Sequence, residues 1–589
     1  MPQNMVNGKI EVGFEGCVDF KGRRFVRAKT GGWRACSLIV GYEFCERVAF
    51  AGIWSSLVVY MTSKLHEGTV SSSINASNWV GTVFITPLLG AYITERYLGR
   101  FLALAIFCCI YTLGTGIMTL SVSLKSLRPK QCPINEDCQK ASPLQNGIFF
   151  LGLYLIALGS GGTRPNICAF GADQFDDSVP KEKQLKNSFF NWWVLIVFSG
   201  GLFGQTVIVY IQDKMDWGVG NGIITAALVA SCFLLLIRTP VYRHKIEPGR
   251  PLQRIVKVIC TMFQNWKVPV PADPSSLHEV DSKEYVPEDR YLIAHTTHLR
   301  LLDKAAIQNG AASNPCTVTD VEETKLVIQI LRIWVTAIFP STLLIQAGTL
   351  FVKQAMSLDR KLGHKFEFPA ASIGAFVPIS MLLSLIIYNK LLVPVMRRFT
   401  GNPRGITILQ RMGIGMLIHT VAMITAMVIE MRRLDVVKDH GLADQKHAIV
   451  PISIFSLLPQ FVIMGIAESF IEVAKLEFFY DQAPMNMQSL GSVLYAASVG
   501  VGAFVNSVLL TVISSVTGHL GHKSWILDNV NASRFDYYYA VLALVNFMNY
   551  LVFLIMAALY TNQTETVEAS ERDSSNTEEN AMSNPSYSD

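Results

Sequence analysis

Twelve apolar stretches of about twenty residues or more recur along the chain, near 35–62, 74–94, 101–123, 146–169, 189–211, 217–237, 329–351, 369–393, 409–430, 451–479, 489–515 and 537–560. Each is long enough to cross roughly 30 Å of hydrocarbon as a helix. Strands would need a closed barrel with alternating patterning, which these runs lack. Composition removes the other classes. Of 589 residues, 50% are hydrophobic and 16% charged, against about 25% charged in a soluble domain, and the mean hydropathy is +0.34. That excludes an array of soluble domains and a largely disordered chain. A net charge of +5 is too small for a nucleic-acid-binding surface at this size. Eleven cysteines are too few for a disulfide scaffold, and none has zinc-ligand spacing. HExxH, GxSxG and phosphate-loop patterns are absent, so no enzyme activity is expected. The expected fold is an all-α integral membrane protein with no metal and no cofactor.

The stretches, numbered here as spans 1 to 12, fall into two sets of six. A segment at 1–34 precedes an N-terminal bundle at 35–237, a linker at 238–328, a C-terminal bundle at 329–560 and a tail at 561–589. The loop between spans 2 and 3, from Gly90 to Arg100, matches the loop between spans 8 and 9, from Arg397 to Gly405, in being rich in Gly and Arg. This suggests a duplicated six-helix unit, a major facilitator arrangement with a site between the halves. The first 34 residues hold seven Lys/Arg and no apolar core of a signal peptide. From Arg238 to Lys267 there are seven Lys/Arg against one acid. These basic segments lie on one side if there are twelve spans, which makes both termini and the linker cytosolic. Within the linker, Pro251 can open a helix in which Leu252, Ile255, Val256, Ile259, Met262, Phe263 and Trp266 keep helical spacing. Such a helix either lies on the cytosolic leaflet or packs under the bundle. Thr319 and Glu322 have the spacing of a capping box before span 7. The tail carries seven acids and one Arg in 29 residues and is expected to be disordered.

Charge inside a span costs about 2.5–3.5 kcal/mol on insertion scales, so its presence there points to function. Span 1 holds Glu43, Glu46 and Arg47 within an arc of about 100°. Glu43 and Arg47 are helical neighbours, which leaves one carboxylate in excess, a natural proton carrier. The lone Arg164 of span 4 calls for a carboxylate partner, and Glu43 or Glu46 can supply it. Span 10 carries Glu468, Glu472 and Lys475 within about 60°, either a solute-facing set or a closed Glu472–Lys475 pair. Gln205 and Gln346 read as polar links between helices, with Gln346 also a substrate candidate. Cys132 and Cys138 are disulfide candidates on the outer side, and Asn531 is a glycosylation candidate there, better placed than Asn75.

These motifs together resemble the plant nitrate/peptide transporter family, also called the proton-dependent oligopeptide transporter family, from about Gly32 to Tyr560. The resemblance rests on Glu43-x-x-Glu46-Arg47, Phe170-Gly-Ala-Asp173-Gln-Phe-Asp176, Phe189-Phe-Asn191-Trp, Gly401-Asn-Pro-Arg404-Gly and Leu476-Glu-Phe-Phe-Tyr-Asp-Gln-Ala-Pro484. It is strongest to subfamily-five, peptide-transporter-like members. It implies a major facilitator fold of twelve helices and a proton-coupling group of Glu43, Glu46, Arg47 and Arg164, where Arg164 replaces the usual Lys. It implies substrate contact by Glu468, the position that holds a peptide amino group in peptide members. Glu472, Lys475, Gln346, Phe50 and Leu344 complete the candidate substrate set. Glu95, Arg96, Arg100, Asp173 and Arg404 are assigned to conformational gating. Two departures bear on substrate. The Tyr-Tyr of peptide members is Phe50-Ala51 here, and the position of a nitrate-binding His is Leu344.

The expected function is a proton-coupled symporter of small solutes working by alternating access. Di- and tripeptides come first, with nitrate, plant hormones and specialised metabolites as alternatives and a solute-sensing receptor as a reading of another class. Protons, a small solute and the bilayer are the expected partners, without nucleic acid. The protein is expected to function as a monomer, in the plasma membrane or, failing that, the vacuolar membrane.

Overall fold

The computed structural model describes residues 5–6, 9–10, 17–18 and 30–583, apart from 131–138, 177–178, 246–250, 272, 274–275, 281–291, 309–314, 364–365, 402–403, 447, 484–487 and 520–523. Among the described residues, eleven helices are long and apolar enough to cross a membrane. One of them, Thr69–Ser123, has 55 residues, about 80 Å if straight. A π-helical turn at Thr94–Leu98 and Gly99 at φ +70° divide it into Thr69–Ile93 and Gly99–Ser123. Glycine alone takes that φ without steric cost. Both parts pack on Pro143–Ala172, so they are separate crossings and the spans number twelve.

Most boundaries lie within a few residues of those expected. Spans 5, 7 and 9 run on as Pro180–Lys214, Val318–Met356 and Ile408–Asp439, because their helices continue past the apolar window into charged ends. Spans 2 and 4 meet backbone to backbone, since a Cβ on Gly90 would overlap the carbonyl of Gly161. The Gly161-Gly162 pair therefore serves packing. The span-4 helix continues through Pro165 to Ala172 and sets Arg164 within it.

Each half has its own apolar core, around Tyr60, Trp79 and Phe149 in the first and Phe351, Phe461 and Tyr539 in the second. The halves meet along spans 2 and 11, where the Asn506 amide donates to Ser77 Oγ (2.9 Å). They meet again at the face opposite the termini. There Glu367 accepts from Lys214 Nζ (2.6 Å) and pairs with Arg360 (2.7 Å), while Phe366 stacks on Tyr210 (5.7 Å between centroids, 7° between planes).

One expectation is corrected. The cap of span 7 is Thr317, whose hydroxyl accepts from Asp320 N (3.1 Å), not Thr319 with Glu322. Those two side chains are recruited by the linker, Thr319 to Glu279 and Glu322 to Thr296. The last helix is Phe535–Ser583, which carries span 12 on past Tyr560. No Pro or Gly interrupts 561–583, and Pro585 then disfavours helix just before it. The linker helix, Pro251–Gln264, opens on Pro251 as expected, and it does pack under the bundle. Val258 and Met262 are buried against Leu302, Ala305 and Val321.

Candidate transport site

Span 1 turns Glu43 and Glu46 inward, each 1% exposed. Arg47 Nε lies 2.7 Å from Glu43 Oε1 and 3.5 Å from Glu46 Oε2. Arg164 reaches across from span 4 to Glu46 Oε1 at 3.4 Å. Glu46 thus lies between two guanidinium groups, one on its own helix and one on another. Counted with Arg164, the cluster holds two acids and two bases. The excess carboxylate that span 1 shows in isolation is the one Arg164 answers. The guanidinium of Arg164 also sits over Phe50 (4.3 Å) and Phe84 (4.9 Å), a cation–π enclosure that steadies charge away from water. Phe50 is therefore a wall of this charge cluster, itself stacked on Trp79 at 5.7 Å. Phe84 was not legible as a participant from sequence. Its only signal is an aromatic on an inward-facing helix.

In the second half, Glu468 is 2% exposed and accepts or shares a proton with His419 Nε2 of span 9 at 2.8 Å. His419 is fully buried. Its Nδ1, and Oε2 of Glu468, make no hydrogen bond in the structure. Glu472 pairs with Lys475, and Lys475 Nζ donates to Ser341 Oγ of span 7 (2.8 Å). Tyr495 of span 11 lies 5.5 Å from the same ammonium. The structure thus has a closed Glu472–Lys475 pair, while the partner of Glu468 is one the span-10 sequence could not reveal. A solitary His in apolar span 9 was the available signal.

The span ends on the side of the termini repeat one device. After span 2, Arg100 pairs with Asp173 at the end of span 4 (2.5 Å). After span 8, Arg404 pairs with Asp481 at the end of span 10 (2.8 Å). The two bonds occupy equivalent places in the two halves. Glu95 and Arg96 lie in the π-helical turn beside the first pair, and Arg96 is exposed and bonds Tyr97 (3.2 Å). The Phe170 motif does more than supply Asp173. Gln174 and Arg243 bond each other's backbone, and Arg243 donates to Glu182 Oε2 (2.7 Å), which fastens the start of the linker to the N-terminal bundle.

A sequence profile of the POT family matches residues 101–526. The chain belongs to the POT family. It is similar to the Arabidopsis thaliana protein NRT1/PTR FAMILY 5.2, at 47% identity over 559 residues, covering 94% of this chain and 96% of that one. It is also similar to NRT1/PTR FAMILY 5.1 of the same plant, at 47% over 552 residues and 94% of each. Among solved structures it shares its fold with the POT family transporter PepTSo, with a TM-score of 0.66, 21% identity, and 90% and 99% of the two chains covered. A POT family transporter in complex with 5-aminolevulinic acid gives a TM-score of 0.60 at 13% identity, covering 90% and 97%. The protein is a multi-pass membrane transporter of small solutes and not an enzyme.

Other candidates in this POT-family protein take structural places. Gln346 donates to Asn506 Oδ1 (2.7 Å) and Tyr538 OH (3.3 Å) and so links spans 7, 11 and 12. Leu344 is half-buried against the C-terminal core. Asn531, the glycosylation candidate, is buried in the folded chain. It is 3% exposed, accepts from Arg433 (3.1 Å) and donates to the carbonyls of Gln445 and Ala448, so a glycan would require breaking a buried network. Cys132 and Cys138 lie outside the described residues. Near the base of span 7, His295, Asp303 and Glu322 come within metal-ligand spacing. Lys325 already bonds both carboxylates, at 2.7 and 2.8 Å, so the group is complete as an ion-paired pin of linker to bundle.

The closure on the face opposite the termini yields a prediction. The hydrogen bond from Lys214, assisted by the charges of Arg360 and Lys361, holds the Glu367 carboxyl below its ordinary value. A lowered acid pKa means the bond is at full strength above the ordinary carboxylate range and is lost only as pH falls through the lowered value. Mild acid at this face therefore leaves the closure intact, whereas Glu367→Gln loosens it at every pH. Spin labels at the outer ends of spans 5 and 8 are expected to show a longer distance component in Glu367→Gln and none in wild type on mild acidification. An unchanged distribution in the variant would show that the Tyr210–Phe366 stack holds this face alone.

Proposed function

We propose that the protein is a proton-coupled symporter, with Glu46 the proton carrier and di- and tripeptides the first substrate class. The observation that carries this is Glu46 held between Arg47 and Arg164 in a buried, charge-balanced cluster. Protonating Glu46 removes the only carboxylate in the described ion pairs of Arg164, leaves the cluster with a net positive charge, and frees Arg164 to move with span 4. A proton can thus bias the two states of an alternating-access cycle. Arg164 acts as a fixed charge here, because a guanidinium does not give up its proton in this range. Solved relatives named as peptide transporters support the substrate class.

Two observations favour a second class, larger and less polar metabolites or hormones. His419 occupies the carboxylate of Glu468 that would receive a peptide ammonium, and Phe50 brings an aromatic face where peptide members have a hydroxyl. The proposed setting is the plasma membrane, with the vacuolar membrane as alternative, as a monomer without a cofactor. The test is two-electrode recording in oocytes at mildly acidic external pH with a dipeptide, nitrate and a panel of plant metabolites. An inward current with one solute names the class. Silence across the panel with surface expression shown would favour a solute-sensing receptor.

A further inference from the structure

The linker helix Pro251–Gln264 buries one side on the bundle and leaves a second apolar face uncovered. Val256, Ile259 and Phe263 are 52%, 36% and 62% exposed and fall within about 60° of one another around the helix. Trp266, in the turn that follows, is 52% exposed and stacks on Phe263 with centroids 6.0 Å apart and planes 17° apart. Exposed apolar surface of this kind, rimmed by charge, marks an interaction face. The next sector of the helix holds Lys257 and Gln264, with Lys267 just beyond, all exposed. The ammonium of Lys304 lies 5.4 Å from the Trp266 ring.

The depth of the helix says what covers this face. Ile255, which adjoins the exposed arc, joins the cluster of Val327, Ile330, Phe478 and Tyr560. These residues lie at the cytosolic ends of spans 7, 10 and 12. The helix therefore lies where those spans leave the bilayer, with one face on protein and a neighbouring apolar face beside it. Of the basic residues from Arg238 to Lys267, Arg238, Lys245, Lys257 and Lys267 are exposed, which matches an anionic leaflet. The acidic tail of the chain matches the charge too. It offers an apolar face only Val567 and Met582 as aliphatic side chains larger than alanine.

We propose that this helix is a lipid-binding surface: Val256, Ile259, Phe263 and Trp266 seat in the headgroup–acyl boundary of the cytosolic leaflet, and Lys257 and Lys267 hold anionic headgroups. The bound helix would tie the linker between the halves to the membrane plane.

The test uses the full chain in nanodiscs of phosphatidylcholine with and without phosphatidylserine. The emission of Trp266 is taken as wild type minus Trp266→Phe, and is quenched in turn by a headgroup spin-labelled lipid and by aqueous iodide. The expected result is quenching several-fold stronger by the lipid label than by iodide, stronger again with phosphatidylserine, and unchanged on deleting residues 563–589. Lys257→Gln with Lys267→Gln is expected to remove the phosphatidylserine increment and keep the rest. Emission open to iodide and untouched by the lipid label would overturn the proposal. So would emission shielded from both quenchers in the full chain and opened to iodide by the deletion, which would make the tail the occupant. A phosphatidylserine increment that survives the double lysine change would overturn the headgroup assignment.

Discussion

Glu46→Gln is expected to abolish concentrative uptake while solute exchange continues. Gln keeps the shape and a hydrogen-bonding oxygen but removes the charge that Arg47 and Arg164 share. Two unit charges 3.4 Å apart, the Arg164–Glu46 separation, interact by about 5 kcal/mol at an effective dielectric of 20. The variant is thus fixed in the electrostatic state of the protonated carrier, and an imposed pH gradient has nothing to act on at this position. Exchange needs only the solute-loaded transition between states and survives. Glu43→Gln is expected to do less, because Glu43 bonds Arg47 within the same helix and does not bridge to span 4. The measurement is accumulation and counterflow in proteoliposomes with an imposed pH gradient, using the solute found by the oocyte panel. Gradient-driven accumulation by Glu46→Gln equal to wild type would remove Glu46 from the coupling step. That result would leave the lipid face of the linker helix untouched, since the latter is read by fluorescence without a solute.

The extent to which the sequence disclosed this arrangement followed the physics of each signal. Membrane insertion acts on local composition, so twelve spans were visible as apolar windows. Their extensions into charged ends were not, because there helix continuity rather than hydrophobicity decides. Span 1 showed three charges on one arc, and the bridge to Arg164 followed from charge balance. His419 escaped because a lone His in an apolar helix does not by itself point to a carboxylate on another span. Arg243 and Asn531 escaped for another reason: each combines backbone carbonyls with one side chain far off in sequence, Glu182 and Arg433 respectively, and no local spacing announces such a set. Thr319 and Glu322 had the spacing of a cap, yet Glu279 and Thr296 of the linker recruited both. Local propensity gave way to a tertiary contact.

Arg433→Met is expected to cost about 3–5 kcal/mol of stability, the toll of leaving a buried charge unpaired. Arg433 and Glu430 are 1% and 0% exposed, one turn apart near the outer end of span 9. The guanidinium bonds both Glu430 oxygens, at 2.6 and 2.8 Å, and reaches Asn531 Oδ1 (3.1 Å) and Val530 O (2.9 Å) in the loop between spans 11 and 12. Glu430 accepts in addition from Gln354 of span 7 (2.7 Å). Methionine has a similar length and no donors, so the variant leaves the carboxylate buried with one amide donor and the Val530 carbonyl with only the Ser533 N–H (3.3 Å). Adding Glu430→Gln removes the stranded charge, and the double variant is expected to recover most of the loss. That recovery separates electrostatics from packing, because the methionine is present in both. Thermal unfolding of detergent-solubilised protein, followed by loss of the monodisperse peak, reads both changes. A double variant no more stable than Arg433→Met would place the cost in the lost anchoring of the loop at Val530 and Asn531 rather than in the buried carboxylate.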